Sequence, residues 1–309
     1  MKKPTVLVAR AIFPEVLEQL SAVFEVIDNQ ADIIFNRQQW IEKINTVDAV
    51  FTTGVEPIDA DVLAHCPQLK IAANMTVGYN NFDVNAMTQK GVVATNSPDV
   101  LTQTTADMAF ALLLAAARRV SESEAFLRSG QWSKWSFDML LGAPVHGSTL
   151  GILGMGRIGQ AIAKRAALGF DMRVIYHNRK PLPTETLQGL PYEVSYVELN
   201  ELLSTCDHLM IVLPYTPQVH HILDAAQLAL LKPGATLVNI GRGGLINENA
   251  LADALENGQL AGAGLDVFEN EPTPEIQILM HPKISLTPHI GAATGEAQDR
   301  IGTELAEQI

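Results

Sequence analysis

Cysteine is almost absent from this chain: two residues in 309, Cys66 and Cys206. They are too few for a disulfide framework and have no zinc-ligand spacing, so two reduced, partly buried thiols and no metal site are expected. Long hydrophobic runs are missing as well. The apolar stretch 109–117 is too short to span a bilayer and ends in Arg118 and Arg119. At the N-terminus, MKKPTVLVAR carries a short apolar run broken by Arg10, which reads as a first strand and not as a signal peptide. Positive charge is scarce: 21 Lys and Arg stand against 34 Asp and Glu, a formal net charge of -13. Such a surface repels nucleic acid and anionic membranes in bulk and leaves room only for a local basic site for a small anion. The expectation is a cytoplasmic protein with neither nucleic acid nor membrane as partner.

What the sequence does contain is a regular alternation. Hydrophobic residues make up 47% and charged residues 18%, the balance of an ordered globular protein, and 309 residues favour two domains. Short β-branched runs at 6–9, 24–27, 47–51, 69–73 and 92–94 alternate with helical patterns at 14–20, 59–65 and 84–89. Gly54, Pro57, Gly78, Gly91 and Pro98 punctuate them. This order predicts a parallel sheet covered on both faces. After Pro98 the character changes to an alanine- and leucine-rich helical stretch over 99–120. A second helical piece reaches about residue 129, and an aromatic loop with Trp132, Trp135 and Phe137 follows. The apolarity of 106–117 exceeds what one helix face needs, so a homodimer contact is expected there.

A second alternating series follows. Strands are expected at 149–153, 173–177, 208–213, 236–240, 263–267 and 284–286, and helices at 157–168, 196–203, 224–230 and 248–257. Asp224 and Asn247 read as N-caps. Six strands joined by helices predict a doubly wound sheet. A last helix from Gly295 to the end lies beyond the final strand and is expected to pack back on the first domain.

The most specific local motif is Gly154-Met155-Gly156-Arg157-Ile158-Gly159, a G-x-G-x-x-G between an expected strand and an expected helix. In that setting the first glycine makes the tight turn, the second admits a pyrophosphate to the backbone, and the third brings helix and sheet together. Free amides at the helix start then hold the phosphates. The end of the next strand reads His177-Asn178-Arg179-Lys180. It lacks the carboxylate that usually meets a ribose diol and offers two cations to a 2'-phosphate. NADP is therefore the expected cofactor, with NAD the alternative.

Further motifs complete a pattern. They are Asn239-Ile240-Gly241-Arg242-Gly243, then Gly264-Leu265-Asp266-Val267-Phe268-Glu269-Asn270-Glu271-Pro272, then Thr287-Pro288-His289-Ile290-Gly291. Upstream stand Val77-Gly78-Tyr79-Asn80-Asn81-Phe82-Asp83 and Thr102-Gln103-Thr104-Thr105-Ala106-Asp107. In this order, over essentially the whole chain, they resemble the D-isomer-specific 2-hydroxyacid dehydrogenases. Within that family the basic 178–180 loop is most similar to glyoxylate/hydroxypyruvate and 2-ketogluconate reductases. The resemblance implies an α/β fold of two doubly wound parallel-sheet domains. A Rossmann cofactor domain (99–289) is inserted in a flavodoxin-like substrate domain (1–98, completed by 290–309). Relatives often continue past the position of Ile309.

The chemistry of keto-acid reduction needs a cation for the carboxylate, a proton donor at the carbonyl oxygen and a group to orient that donor. The resemblance assigns these roles to Arg242, His289 and Glu271. Composition alone does not separate Glu271 from its neighbour Glu269; the family pattern places the role at the glutamate before Pro272. Met75, Thr76, Val77 and Gly78 resemble the segment that receives the substrate carboxylate, together with Arg242. Cofactor contacts are implied at Thr105, Gly154, Gly156, Arg157, Ile158, Gly159, His177, Asn178, Arg179, Leu213, Pro214, Ile240, Asp266, His289 and Gly291, with Asp266 equally suited to a structural role. Trp132 and Trp135 are candidates for shielding substrate or for a subunit contact, and His220 and His221 for an exposed approach to a helix. The expected partners are a small 2-keto or 2-hydroxy acid and a second copy of the chain. The alternatives on this scaffold are an NAD-dependent member acting on D-3-phosphoglycerate or D-lactate, and a cofactor-sensing corepressor-like binding protein.

Overall fold

Short β-branched runs between amphipathic helices form two all-parallel sheets in the computed structural model, which describes residues 2–309. The chain divides into two units, Met1–Leu101 with Ala292–Ile309, and Thr102–Gly291. In the first unit the elements are β1 (Thr5–Val8), α1 (Pro14–Val23), β2 (Glu25–Ile27), α2 (Arg37–Ile44), β3 (Ala49–Thr52), α3 (Ala60–His65), β4 (Ile71–Asn74), α4 (Val84–Lys90) and β5 (Val93–Asn96). Their five strands lie in the order β2-β1-β3-β4-β5, the flavodoxin-like arrangement. Helix α2 was not legible as a helix. It buries only Trp40 and Ile44, too sparse a stripe to register as a period, and a capping box between Asn36 and Gln39 sets its start.

The second unit opens with α5 (Thr102–Ala117) and α6 (Val120–Arg128), then runs through β6 (Thr149–Leu153), α7 (Arg157–Phe170), β7 (Arg173–His177), α8 (Thr184–Gln188), β8 (Val194–Tyr196), α9 (Leu199–Thr205), β9 (His208–Ile211), α10 (Ala225–Leu228), β10 (Ala235–Asn239), α11 (Glu248–Glu256), β11 (Leu260–Leu265), α12 (Ile276–Leu279) and β12 (Ile284–Leu286). The final helix, α13 (Gly295–Gln308), returns to the first unit. There Ala297, Ile301 and Leu305, one helical stripe, join the core formed with Val16 and Leu20 of α1. Burying a side chain of the Ile or Leu kind contributes roughly 1.5–3 kcal/mol, which holds this late segment to the fold.

The second sheet has seven strands, in the order β12-β11-β10-β9-β6-β7-β8, where six were expected. The additional one is β8, a three-residue edge strand paired with β7. Tyr196 belongs to it and not to the helix expected from 196. Its ring meets Tyr176 edge-on, and α9 begins only at Leu199. Asp224 and Asn247 do cap α10 and α11. The helix expected over 99–120 and the second piece reaching about residue 129 are α5 and α6, separated at Arg119, whose φ of 56° lies in the left-handed region. Most of the apolar surface of α5 is buried inside its own unit, with Met108 and Leu114 partly buried and Ala111 exposed. Ala106, Ala109, Phe110, Leu112, Leu113, Ala116 and Ala117 are buried against α7, β10 and β11. Burial within the unit thus accounts for most of the apolarity of 106–117. Exposed apolar groups lie instead in the following segment, at Trp132, Trp135, Phe137 and Leu141. Both cysteines are buried free thiols, and burial pushes Cys66 up to about 11 and Cys206 to about 12, far from thiolate chemistry at neutral pH. Among the described residues no helix is long and apolar enough to cross a membrane.

Candidate active site

In a doubly wound sheet, ligands bind beyond the carboxyl ends of the strands where the order reverses. Here that point is β6, flanked by β7 and β9. Immediately after β6, Gly154 has a φ of 108°, a conformation that favours glycine, and its amide donates to the His177 carbonyl at 3.0 Å. A Cβ on Gly159 would overlap the Gly154 carbonyl oxygen, so the first turn of α7 sits directly on the loop. At Gly156 the opposite holds: a Cβ there would meet nothing within 4 Å. Helix α7 starts at Gly156 without a side-chain cap, and Arg157, Ile158 and Gly159 form its first turn. A tight glycine turn, open space over Gly156 and an uncapped helix start fit a dinucleotide pyrophosphate.

The end of β7 carries the adenosine-side candidates. Asn178 is turned inward, its Oδ1 accepting the Met155 N–H at 2.7 Å, so it braces the glycine loop. His177 is half-buried, with Nδ1 2.9 Å from the Val197 carbonyl oxygen. Arg179 and Lys180 are exposed and enter no ion pair among the described residues. Leu213, followed by exposed Pro214, lies between the two glycine loops. A Cβ on Gly241 would strike the Leu213 carbonyl oxygen, and one on Gly154 the carbonyl of the preceding Val212.

Beyond β10, β11 and β12 the remaining candidates converge. After β10, Asn239 folds the loop on itself: its Oδ1 accepts the Gly241 N–H at 3.0 Å and its Nδ2 donates to the Arg242 carbonyl at 2.8 Å. A Cβ on Gly243 would overlap the Phe268 carbonyl, so only glycine lets this loop reach the one after β11. Arg242 is half-buried and its Nη1 donates to the Gly241 carbonyl at 2.7 Å. Burial pulls the Arg242 guanidinium down from its ordinary value, and the charge of Glu271 opposes that pull. Such a desolvated cation is suited to a carboxylate.

His289 follows β12 with a φ of 54°, a left-handed conformation that costs a non-glycine residue and recurs where function requires it. Its Nδ1 lies 2.7 Å from Oε2 of Glu271, whose Oε1 accepts the Phe268 N–H at 2.9 Å. Burial alone would raise the Glu271 carboxyl. The His289 hydrogen bond, the Phe268 amide and the charges of His289 and Arg242 outweigh burial and hold it below the usual carboxylate range. Glu271 is thus the anionic partner of His289, while Glu269 turns to His221 at 2.5 Å. His221 is therefore not on an exposed approach: it is half-buried against that carboxylate.

Asp266 fixes the His289 loop. It is buried, and its two oxygens accept the Thr287 hydroxyl at 2.7 Å and the Ile290 and Gly291 amides at 2.8 Å each. A Cβ on Gly291 would touch Asp266, Ile240 and Thr105, which places these four cofactor candidates side by side. The sequence offered no signal for Asp266 as the anchor of His289, because its partners lie 21 to 25 residues away.

The carboxylate-binding candidates after β4 belong to the first unit. Asn74 and Thr76 brace this loop, Asn74 Nδ2 donating to the Gly78 carbonyl at 2.8 Å and Thr76 Oγ1 donating to the same oxygen at 2.5 Å. Asn96 Nδ2 donates to the Val77 carbonyl at 2.7 Å. Buried Met75 ties the loop to the sheet through its amide, which donates to the Thr52 carbonyl at 2.8 Å. The carbonyls of Val77 and Gly78 are thereby occupied by the protein, and their amides have no acceptor among the described residues.

A nucleotide cradle and a histidine–carboxylate pair beside a desolvated arginine, all at one end of one parallel sheet, define a nicotinamide-dinucleotide-dependent dehydrogenase. Residues 110–291 match the model of the D-isomer specific 2-hydroxyacid dehydrogenase, NAD binding domain, and the chain belongs to that family. It is 44% identical over 311 residues to the glyoxylate reductase of Thermococcus onnurineus (strain NA1), covering 99% of this chain and 92% of the relative. The crystal structure of a glyoxylate reductase from Paecilomyes thermophila matches with a TM-score of 0.88 at 33% identity, over 99% of this chain and 94% of that one. An NADPH-dependent glyoxylate/hydroxypyruvate reductase from Sinorhizobium meliloti, in complex with NADP and malonate, matches with a TM-score of 0.83 at 34% identity, over 99% and 92%.

Proposed function

We propose that the chain reduces small 2-keto acids to D-2-hydroxy acids, with glyoxylate and hydroxypyruvate as the foremost substrates, 2-ketogluconate beside them, and NADPH as the preferred reductant. The observation that carries this reading is the 2.7 Å contact between His289 and Glu271, with Arg242 close enough for its charge to act on the same carboxylate. The names and cofactor of the similar reductases support the substrate class. Gly154, Gly156, Arg157, Ile158 and Gly159 would hold the pyrophosphate, with Thr105, His177, Leu213, Pro214, Ile240, Asp266 and Gly291 lining the rest of the cofactor. Bound there, the reduced nicotinamide supplies a hydride.

Arg242 grips the substrate carboxylate, and in the first unit the loop of Met75, Thr76, Val77 and Gly78 is a substrate-binding segment whose Val77 and Gly78 amides suit an anion. With Nδ1 of His289 engaged by Glu271, Nε2 is the nitrogen that delivers a proton to the carbonyl oxygen. Glu271, its carboxyl held below the usual carboxylate range, fixes Nδ1 of His289 and so decides which nitrogen faces the carbonyl. Glu271→Gln removes the carboxylate charge. A loss of roughly 10–100-fold in kcat for reduction is expected, smaller than that of removing the imidazole itself. A kcat equal to wild type would show that Glu271 does not position the proton donor.

Cofactor choice rests on Arg179. The strand end lacks a carboxylate, and a planar guanidinium engages two phosphate oxygens where Lys180 acts as a point charge. One such contact, at about 1.5–3 kcal/mol less solvent screening, gives an expected preference for NADPH of roughly 10–100-fold in kcat/KM. The test is a matrix of NADPH and NADH against glyoxylate, hydroxypyruvate, pyruvate and 2-ketogluconate, with cofactor affinities titrated by fluorescence. Arg179→Ala weakens NADPH binding and leaves NADH unchanged. Equal affinity and efficiency for the two cofactors in wild type would refute the preference.

We also propose a homodimer. The reason is the exposed cluster of Trp132, Trp135, Phe137 and Leu141, in which Phe137 is 87% exposed and stacks edge-on against Trp135 with ring centroids 4.6 Å apart. Light scattering is expected to give twice the 33.5 kDa chain mass. A monomer mass that persists at high concentration would contradict it.

A further inference from the structure

Between the arginine loop and the glutamate loop lies a second histidine–carboxylate pair that the reaction does not use. His221 Nε2 is 2.5 Å from Oε1 of Glu269, two residues before Glu271. The backbone amide of His221 donates to the Gly244 carbonyl at 2.8 Å, two residues after Arg242. His221 itself has a φ of 49°, so its backbone is held in a costly conformation at this junction. Its ring stacks on His220 with centroids 3.8 Å apart, and His220 Nδ1 is 3.2 Å from the Tyr215 hydroxyl.

A third group locks the same place from below. Glu248 is the first residue of α11 and is buried, its Oε1 accepting the Glu269 N–H at 2.8 Å. Its Oε2 is buried with no hydrogen-bond partner among the described residues. Burial first, and then the nearby carboxylates Glu269, Glu275 and Glu271, raise the Glu248 carboxyl. The backbone of Glu269 is therefore pinned by α11 and its side chain by His221, which in turn holds Gly244.

We propose that His221 and Glu269 are positioning residues that set the placement of Arg242 relative to Glu271 and His289. Two connections span the two loops: the close approach of Gly243 to Phe268, and the bridge from Glu269 through His221 to Gly244. The first is backbone packing, which resists compression but not separation. The polar pair supplies the resistance to separation. A keto acid held by Arg242 and protonated by His289 needs both groups in register, and a misplacement of about 1 Å is enough to cost on the order of 100-fold in rate. This inference rests on the assignment of Arg242, Glu271 and His289 to keto-acid reduction.

The test compares His221→Ala, Glu269→Ala, the double variant and Glu269→Gln, with glyoxylate and NADPH as the probes. Each alanine variant is expected to lose roughly 10–100-fold in kcat/KM, through both a higher glyoxylate KM and a lower kcat. NADPH affinity by fluorescence titration and Tm stay close to wild type. The double variant loses no more than the worse single one, because both singles break one contact. Glu269→Gln, which still offers an oxygen to His221, restores most of the activity. Wild-type kinetics in the alanine variants would overturn the proposal. So would additive losses, or an equal loss of NADPH affinity. Failure of the underlying reading looks different: His289→Ala would then turn over as fast as wild type, or wild type would reduce no keto acid.

Discussion

His289→Ala is expected to lower kcat for keto-acid reduction by about 100- to 10,000-fold, the range set by loss of a positioned general acid. The proton then has to come from water, which no protein group orients. KM for the keto acid changes little, because the imidazole contributes to the transition state more than to substrate binding. NADPH affinity also survives, since the cradle at Gly154–Gly159 is built from β6 and α7 and owes nothing to the imidazole. The loop itself remains folded because Asp266 holds the amides of Ile290 and Gly291, not the side chain of His289. Steady-state kinetics paired with a cofactor titration check both halves. Full kcat in the variant would remove His289 from the chemistry.

The second large effect is at Arg242. Two charge-assisted hydrogen bonds to a carboxylate, at roughly 1.5–3 kcal/mol each, amount to a factor on the order of 100 to 10,000. Arg242→Gln is expected to lose that much in kcat/KM for glyoxylate, mostly through KM. The cost is not purely substrate binding. Arg242 also helps keep Glu271 ionised, so its removal weakens the partner of the proton donor. Arg242→Lys recovers only part of the loss, because an ammonium does not reproduce the planar two-point grip. Glutamine is chosen because it leaves no buried unpaired charge. Saturation kinetics on both variants, with circular dichroism for folding, check this. A Gln variant with wild-type kcat/KM would show that the carboxylate is bound elsewhere.

Much of this architecture was legible because its signals are local. The glycine spacing at 154–159, the strand before it and the helix after it are contiguous in sequence. Arg242 and His289 each stand in a short motif directly after a strand. What escaped was set by long-range partners or by weak local pattern. Helix α2 shows only two buried residues and β8 only three residues in all, below the length at which a period declares itself. The His221–Glu269 contact joins positions 48 apart in the chain, and nothing near His221 announces it. The hydrogen bond from the Met155 amide to Asn178 likewise joins positions 23 apart, with no local signal for it. Most of the apolar excess of α5 is taken up by α7 and the sheet, which no local pattern announces. In each case burial by a distant element decided the role of a residue whose neighbours gave no hint of it.

The central claim is that this chain delivers hydride and proton to a 2-keto acid so that the D-hydroxy acid results. Hydroxypyruvate tests it most directly, because its product is chiral where that of glyoxylate is not. Purified protein, hydroxypyruvate and NADPH are incubated together, cofactor oxidation is followed by absorbance, and the product is resolved by chiral chromatography. The account predicts one D-glycerate formed for each NADPH oxidised. An L-configured or racemic product, or no oxidation of either NADPH or NADH, would contradict it.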